Sequence, residues 1–212
     1  SGNTLVISGT PSTAGTTNFT VTCNDSSTTP QNSQKQFAIT IVPPPAAMPF
    51  TDSFATDKGW QLGSTWSRGA ATAYSNTGPT RSEPGTDNTT STSDNMIIGD
   101  TIGGDYSTGI GTATWAISPM VNCASAANVR VRFARWLGVS IGDVVKVQVT
   151  NNGTTWVDAY TNPTSSNVND TAWTTFSYDI SATAAGNATV QVRFGLGPNT
   201  GTVVNTGWCI DD

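Results

Sequence analysis

Apolar residues recur at every second position through much of this chain, the period of a half-buried β-strand. Val129, Val131 and Phe133 alternate with Arg130 and Arg132. Val145, Val147 and Val149 alternate with Lys146 and Gln148, and Val190, Val192 and Phe194 with Gln191 and Arg193. Each run has one face to bury and one to solvate, as in antiparallel sheets packed face to face. These apolar positions are the expected core. Asn152-Gly153, just after the 145–149 run, is a hairpin turn signal. No segment carries the spacing of a helix of ordinary length.

The pattern breaks at Pro43-Pro44-Pro45-Ala46-Ala47. Consecutive prolines favour polyproline II, so 43–47 reads as a short stiff linker between residues 1–42 and 48–212. Before it, strands are predicted at 5–8, 18–23 and 36–42, with a turn cluster at 9–15. An Ig-type sandwich needs about seven strands, so three cannot close one. After it, the first strand is expected at 50–54. Residues 69–105 are rich in Ser, Thr, Asn, Gly and Asp. A structureless stretch of that length is unusual in a compact domain. One short strand is predicted there, at 96–98, with the rest ordered by turns, packing or a metal.

Particular motifs sharpen this outline. Ile7-Ser8-Gly9-Thr10-Pro11, Ala14-Gly15, Phe19-Thr20-Val21 and Asp25 resemble the Ig- or cadherin-like repeats of bacterial surface proteins. The larger block runs from near Met48 and includes Ile117-Ser-Pro-Met-Val-Asn-Cys123, the alternating strands, Trp156, Trp173 and a closing Gly207-Trp-Cys-Ile-Asp-Asp212. It resembles the MAM-like jelly-roll modules of secreted bacterial proteins, a group that takes in the cleaved-adhesin modules of secreted proteases. The resemblance implies an all-β chain: a partial Ig-like β-sandwich over 1–42, then an antiparallel two-sheet jelly-roll (MAM/concanavalin-like) over 48–212. It also implies an accessory or adhesive role without catalysis, at the cell surface or outside the cell.

Composition agrees. Only 11% of residues are charged, against roughly 25% in ordinary globular domains. Such a surface fits an extracellular β-protein better than a cytosolic enzyme. The net charge is −5 and no Lys/Arg run occurs, which counts against nucleic acid as a partner, because phosphate neutralisation supplies most of that affinity. No apolar run reaches the roughly 20 residues that span a bilayer.

Catalytic chemistry has little to work with. There is no histidine, which removes the commonest general base and most nucleophile–base pairs. Glu83 is the only glutamate. A glycosidase-type carboxylate pair such as Asp87 with Asp94 exists on paper, but solvated loop carboxylates explain those residues better. Hard-cation binding is more plausible. In jelly-rolls of the type this block resembles, the first and last strands run side by side, which implies that Asp52, Asp211 and Asp212 converge. The stretch 83–95, with Asp87 and Asp94, is a second oxygen-rich candidate. Ca²⁺ takes six to eight oxygen ligands from such loops. One departure from the family pattern stands out: Phe54 is followed by Ala55, where MAM modules often carry Glu.

Cys123 and Cys209 both lie near strands of the larger block. A disulfide between them is expected, the alternative being two buried thiols acting as small hydrophobes. Cys23 is then left over. Seven tryptophans are many for this length. Trp136, Trp156, Trp173 and Trp208 sit within strand patterns and read as core, while Trp60 and Trp66 are open to a role on a sugar-binding surface. The sequons at Asn18, Asn24, Asn88, Asn152, Asn169 and Asn187 are expected by chance in so Asn- and Thr-rich a chain.

Two functional readings follow. One is a structural or adhesive surface protein that associates with copies of itself or other surface proteins, as a subunit of a filament or larger assembly. Both ends read as cut, and unpaired sheet edges are templates for strand addition between subunits. The other is an accessory carbohydrate- or protein-binding module of a larger secreted enzyme.

Overall fold

A computed structural model of the chain describes residues 6–9, 13–29, 31–75, 81–89, 93–199 and 203–212. It falls into two compact units, Ser1–Pro44 and Pro45–Asp212, which divide inside the proline run.

In the first unit, β1 (Gly15–Asn24) and β2 (Asn32–Ile41) form one antiparallel hairpin. Directly opposed residues share a face. The register sets Phe19 opposite Phe37, Thr17 opposite Ile39 and Gly15 opposite Ile41, with Val21 opposite Lys35 and Cys23 opposite Ser33 further along, so one face is mainly apolar near Phe19 and Phe37. The other face pairs Thr16 with Thr40, Asn18 with Ala38, Thr20 with Gln36 and Thr22 with Gln34. The Phe19 and Phe37 rings stack at 5.6 Å. The strand expected at 5–8 is absent from residues 6–8, and Leu5 lies outside the described residues, as does 10–12 of the expected turn cluster.

The second unit runs β3 (Ala46–Ala47), β4 (Gln61–Leu62), β5 (Trp66–Ala70), β6 (Tyr74–Ser75), β7 (Ser82–Glu83), β8 (Met96–Asp100), β9 (Thr114–Ile117), β10 (Val121–Asn122), β11 (Arg130–Val139), β12 (Val145–Thr150), β13 (Val157–Thr161), β14 (Val168–Asn169), β15 (Thr174–Asp179), the one-turn helix α1 (Ser181–Ala184), β16 (Gln191–Leu196) and β17 (Gly207–Asp211). One antiparallel sheet orders β11-β17-β8-β5, with β14 and β15 both on the outer edge of β11. The other orders β13-β12-β16-β9-β4. The expected two-sheet all-β sandwich is present.

Its core follows the predicted phases. Val129, Phe133, Val145, Val147, Val149, Val190 and Phe194 are buried, and Val131 and Val192 pack beside them. Trp66 meets Trp208 edge-on at 6.1 Å, and Phe194 meets Phe133 at 4.8 Å. Fully burying each such side chain is worth about 1.5–3 kcal/mol.

Two strand expectations are corrected. Residues 50–54 are not a strand; the first strand is Ala46–Ala47, paired in parallel with β10. Phe54 has φ +57°, a left-handed backbone that ends any extended run and is rare for a bulky side chain. The last strand consequently lies between β11 and β8, not beside the first.

The expected Cys123–Cys209 disulfide is also corrected, since both cysteines are buried free thiols. Trp208 and Ile210 point into the inter-sheet core, so Cys209 between them points outward, against Ala71 and Ile97. Cys123 packs with Val129, Ile180 and Val190 in the inward-facing cluster. The two sulfurs therefore belong to different packing layers.

That outer layer orders much of the 69–105 stretch. Trp136 and Trp173 stand on the outside of the first sheet, edge-on at 6.0 Å. Their indole N–H groups donate to the carbonyls of Ser82 (2.6 Å) and Thr86 (2.9 Å). The returning chain is thereby pinned over Cys209, and packing supplies the order that turn signals alone did not predict.

Candidate functional site

Four of the five predicted acidic residues, Asp87, Asp94, Asp211 and Asp212, lie in the region where β17 ends. Asp211 has the same outward phase as Cys209, so its carboxylate faces the segment that returns through 84–89. Its Oδ2 accepts the backbone N–H of Asn88 at 2.7 Å and of Thr89 at 3.1 Å. Asp212 accepts the Asn88 side-chain amide on Oδ2 at 2.7 Å and the Thr89 hydroxyl on Oδ1 at 2.5 Å. Asp87 is placed by its own N–H, which donates to Asn95 Oδ1 at 2.8 Å. Asp94 caps the start of β8, accepting the Met96 N–H at 3.1 Å. Burial, together with the negative charges of Asp94 and Asp212, pushes the Asp87 carboxyl up. Burial pushes Asp211 up to about 6, against the lowering effect of the Asn88 N–H.

Asp52 stands apart from this group but shares a cleft with Asp212. Its Oδ1 accepts the Phe54 N–H at 2.9 Å, and its Oδ2 accepts the Trp60 indole N–H at 2.9 Å. Lys58 Nζ lies 3.6 Å from Oδ1. Asp52 therefore organises the 50–60 turn, including the left-handed Phe54, whose carbonyl accepts from Arg68 at 2.9 Å.

The donor chemistry at this corner suits Ca²⁺: hard carboxylate oxygens, with Asp87 Oδ2 buried and without a hydrogen-bond partner among the described residues. The geometry is less complete. Among the described residues no three acidic or thiol side chains converge closely enough to hold an ion. The oxygens of Asp211 and Asp212 are engaged by Asn88 and Thr89.

Sequence reasoning placed Glu83 at the start of the oxygen-rich 83–95 stretch but did not foresee its burial near Asp100 and Asp105. Glu83 is buried on β7. Its Oε2 accepts the Gly103 N–H, and its Oε1 has no partner among the described residues. Burial pushes this carboxyl up to about 8, with the charges of Asp100 and Asp105 adding to the effect. Burial, then the charges of Glu83 and Asp100, hold the nearby Cys209 thiol well above its ordinary range. The signal in the sequence was the lone glutamate beside Pro84; nothing local told that it is buried.

The tryptophans sort only partly as expected: Trp208 is core, while Trp136 and Trp173 lie on the outer side of the first sheet. Trp66 and Trp208 are buried, and Trp60 packs against the core beside Phe54 and Phe194. Trp156 is not core. It and Trp115 lie on the outer face of the second sheet and sandwich the Arg193 guanidinium at 4.1 and 3.8 Å. Trp115 lies flat over Gly195, where an added Cβ would come within 2.3 Å of the ring. Gln148 Oε1 holds Arg193 Nε at 2.8 Å and ties the stack to β12.

The architecture defines the class of protein: all-β, two antiparallel sheets face to face, with acidic loops packed outside them. No family model matches the chain, and no characterised protein matches it in sequence. Among solved structures it is similar to the K1 cleaved adhesin domain of Lys-gingipain from Porphyromonas gingivalis, at 11% identity and a TM-score of 0.43, over 76% of this chain and 94% of that one. It is also similar to the K3 cleaved adhesin domain of the same protein, at 8% identity and a TM-score of 0.40, over 77% and 95%.

Proposed function

We propose that this chain is a non-catalytic structural or adhesive module of an extracellular, cell-surface assembly, with copies of itself or other surface proteins as partners. The observation that carries this reading is the amphipathic hairpin. Phe37 and Ile39 are 42% and 39% exposed on its apolar face, beside Phe19 and Val21. An isolated two-stranded hairpin is marginal in water, and its apolar side stabilises the fold only when another element covers it. A strand or sheet face from a neighbouring molecule answers that need and extends an assembly. Further support comes from the lack of histidine and from the engagement of Asp211 and Asp212 in holding the 87–89 segment.

The test is sedimentation of the full chain over a wide concentration range, beside a variant carrying Phe37→Ser and Ile39→Ser. Association that rises with concentration and disappears in the variant is the expected result. A wild type that stays monomeric throughout overturns the assembly reading. That result leaves the alternative, an accessory carbohydrate- or protein-binding module of a larger secreted enzyme, for which the half-buried Trp115 and Trp156 are the surface to examine.

We propose also that Ca²⁺ stabilises the larger unit through some of Asp52, Asp87, Asp94, Asp211 and Asp212. The carboxylates gathered around Asn88, with the spare oxygen of Asp87, are the support for it.

A further inference from the structure

The sandwich is not filled at one end. Between segment 129–133 of one sheet and 190–194 of the other lies a cavity of about 130 Å³. Phe54, Trp60, Cys123, Ile180 and Ile210 complete most of its inner wall, which is mainly apolar. An apolar void of about 150 Å³ in another protein stays dry and takes up benzene, because water finds no hydrogen-bond partners there. The cavity here suits a group of that size.

It is also reachable. Its lining includes the exposed residues Met48, Thr51, Arg130, Arg132 and Asp212. Thr51, Asp52, Arg132 and Asp212 also line the neighbouring polar cleft, whose volume is about 510 Å³. An apolar chamber and a polar vestibule thus share one rim.

The charges on that rim are unequally committed. Asp52 is engaged by Phe54, Trp60 and Lys58, and Asp212 by Asn88 and Thr89. Lys58 donates to the Thr51 carbonyl at 2.5 Å. Arg130 donates to Ser177 and lies 3.8 Å from Asp179. Arg132 alone has no hydrogen bond or ion pair among the described residues. The Phe54 ring forms part of the wall from a left-handed backbone, φ +57°. Strained conformations of that kind persist where surrounding groups fix them, as Asp52 and Arg68 do here, and they cluster at ligand sites.

We infer that this is a binding site for a small amphipathic carboxylate: a phenyl-sized apolar tail fills the cavity, and the carboxylate lies in the polar vestibule, where it pairs with the guanidinium of the outward-facing Arg132. The guanidinium fork matches a carboxylate with two parallel hydrogen bonds. The inference is independent of the assembly reading, since it uses only the larger unit.

The experiment titrates the full chain, methyl-labelled for NMR, with phenylpropionate, phenylpropanol and propionate in turn. Phenylpropionate is expected to shift the methyls of Val129, Val131, Ile180 and Val192 saturably. Phenylpropanol should bind the same methyls roughly tenfold more weakly, the usual loss when a charged hydrogen bond is removed. Propionate, which has no ring, should leave them unmoved. Arg132→Gln should bring phenylpropionate down to the level of phenylpropanol, and Val192→Phe, which fills the chamber, should abolish both. The wild-type methyl shifts stand as evidence even where Val192→Phe fails to fold. Shifts confined to exposed residues, or no saturation up to the solubility of the ligand, overturn the site. Equal binding of the acid and the alcohol, unchanged in Arg132→Gln, overturns the assignment to a carboxylate.

Discussion

Glu83 shows how strongly one buried side chain responds to its surroundings. A carboxyl with an ordinary value of 4.5 is held at about 8 in the folded chain, so the folded state binds its proton more tightly than the unfolded state. Its contribution to stability is complete below the unfolded value and is lost as pH rises through about 8. Asp211, moved from 3.8 to about 6, acts in the same direction over a lower window. Chemical denaturation at about pH 5 and about pH 8.5 should therefore show wild-type stability falling with pH, and Glu83→Gln should flatten that fall by roughly 1–3 kcal/mol. A variant whose slope matches the wild type would show that the Glu83 proton is not linked to folding.

At the scale of elements, the edge of β11 is the instructive place. Its partner strand is interrupted between β14 and β15, and Asp170 fills the gap. The Asp170 carboxylate accepts Arg135 Nε at 2.8 Å and Nη2 at 3.1 Å, and also the Leu137 N–H at 2.9 Å. Arg135 is 6% exposed, and its guanidinium stacks 4.0 Å from the Phe176 ring centre. Replacing Asp170 by Ala strands a buried guanidinium and a buried backbone donor together, at an expected loss of about 3–5 kcal/mol. The double change Arg135→Met with Asp170→Leu removes both charges and should lose distinctly less, as read by thermal melting. Equal losses in the two variants would mean that shape, not charge, holds this edge. The alternation in the sequence identified β11 correctly through Phe133, but placing Arg135 in the same phase gave no warning that it is buried. Its partner lies 35 residues away in a stretch with no strand signal of its own.

The whole molecule offers a test for the proposed cation. A ligand that binds only the folded state raises its apparent stability by mass action. After exhaustive removal of calcium, the melting temperature of the larger unit should fall and should recover on adding Ca²⁺, while Asp87→Asn should blunt the recovery. No change on either treatment would dispose of a Ca²⁺ role for this corner. The core clusters are drawn entirely from the larger unit, so this transition reads that unit and not the hairpin.

The alternating runs at 129–133, 145–149 and 190–194 were sufficient to identify the sheets, because burial of one strand face is written locally, at a period of two. The same period separates Cys209 from Trp208 and Ile210, yet only the packed sheets decide that Cys209 faces out while Cys123 faces in. The sequence also singled out Asp87 and Asp94 by the oxygen-rich composition of their loop, and Asp211 and Asp212 through the jelly-roll resemblance, but as two separate candidates; only the fold sets Asp87 near Asp212. The sequence did not name Asn88 and Thr89 as the groups that hold Asp211 and Asp212, nor Glu83 as buried, nor Arg132 as a charge at the mouth of an apolar cavity with no ionic partner among the described residues. Those facts depend on which segments return to which sheet face. Such returns are set by contacts between residues far apart in the chain, as when Trp136 and Trp173 pin Ser82 and Thr86.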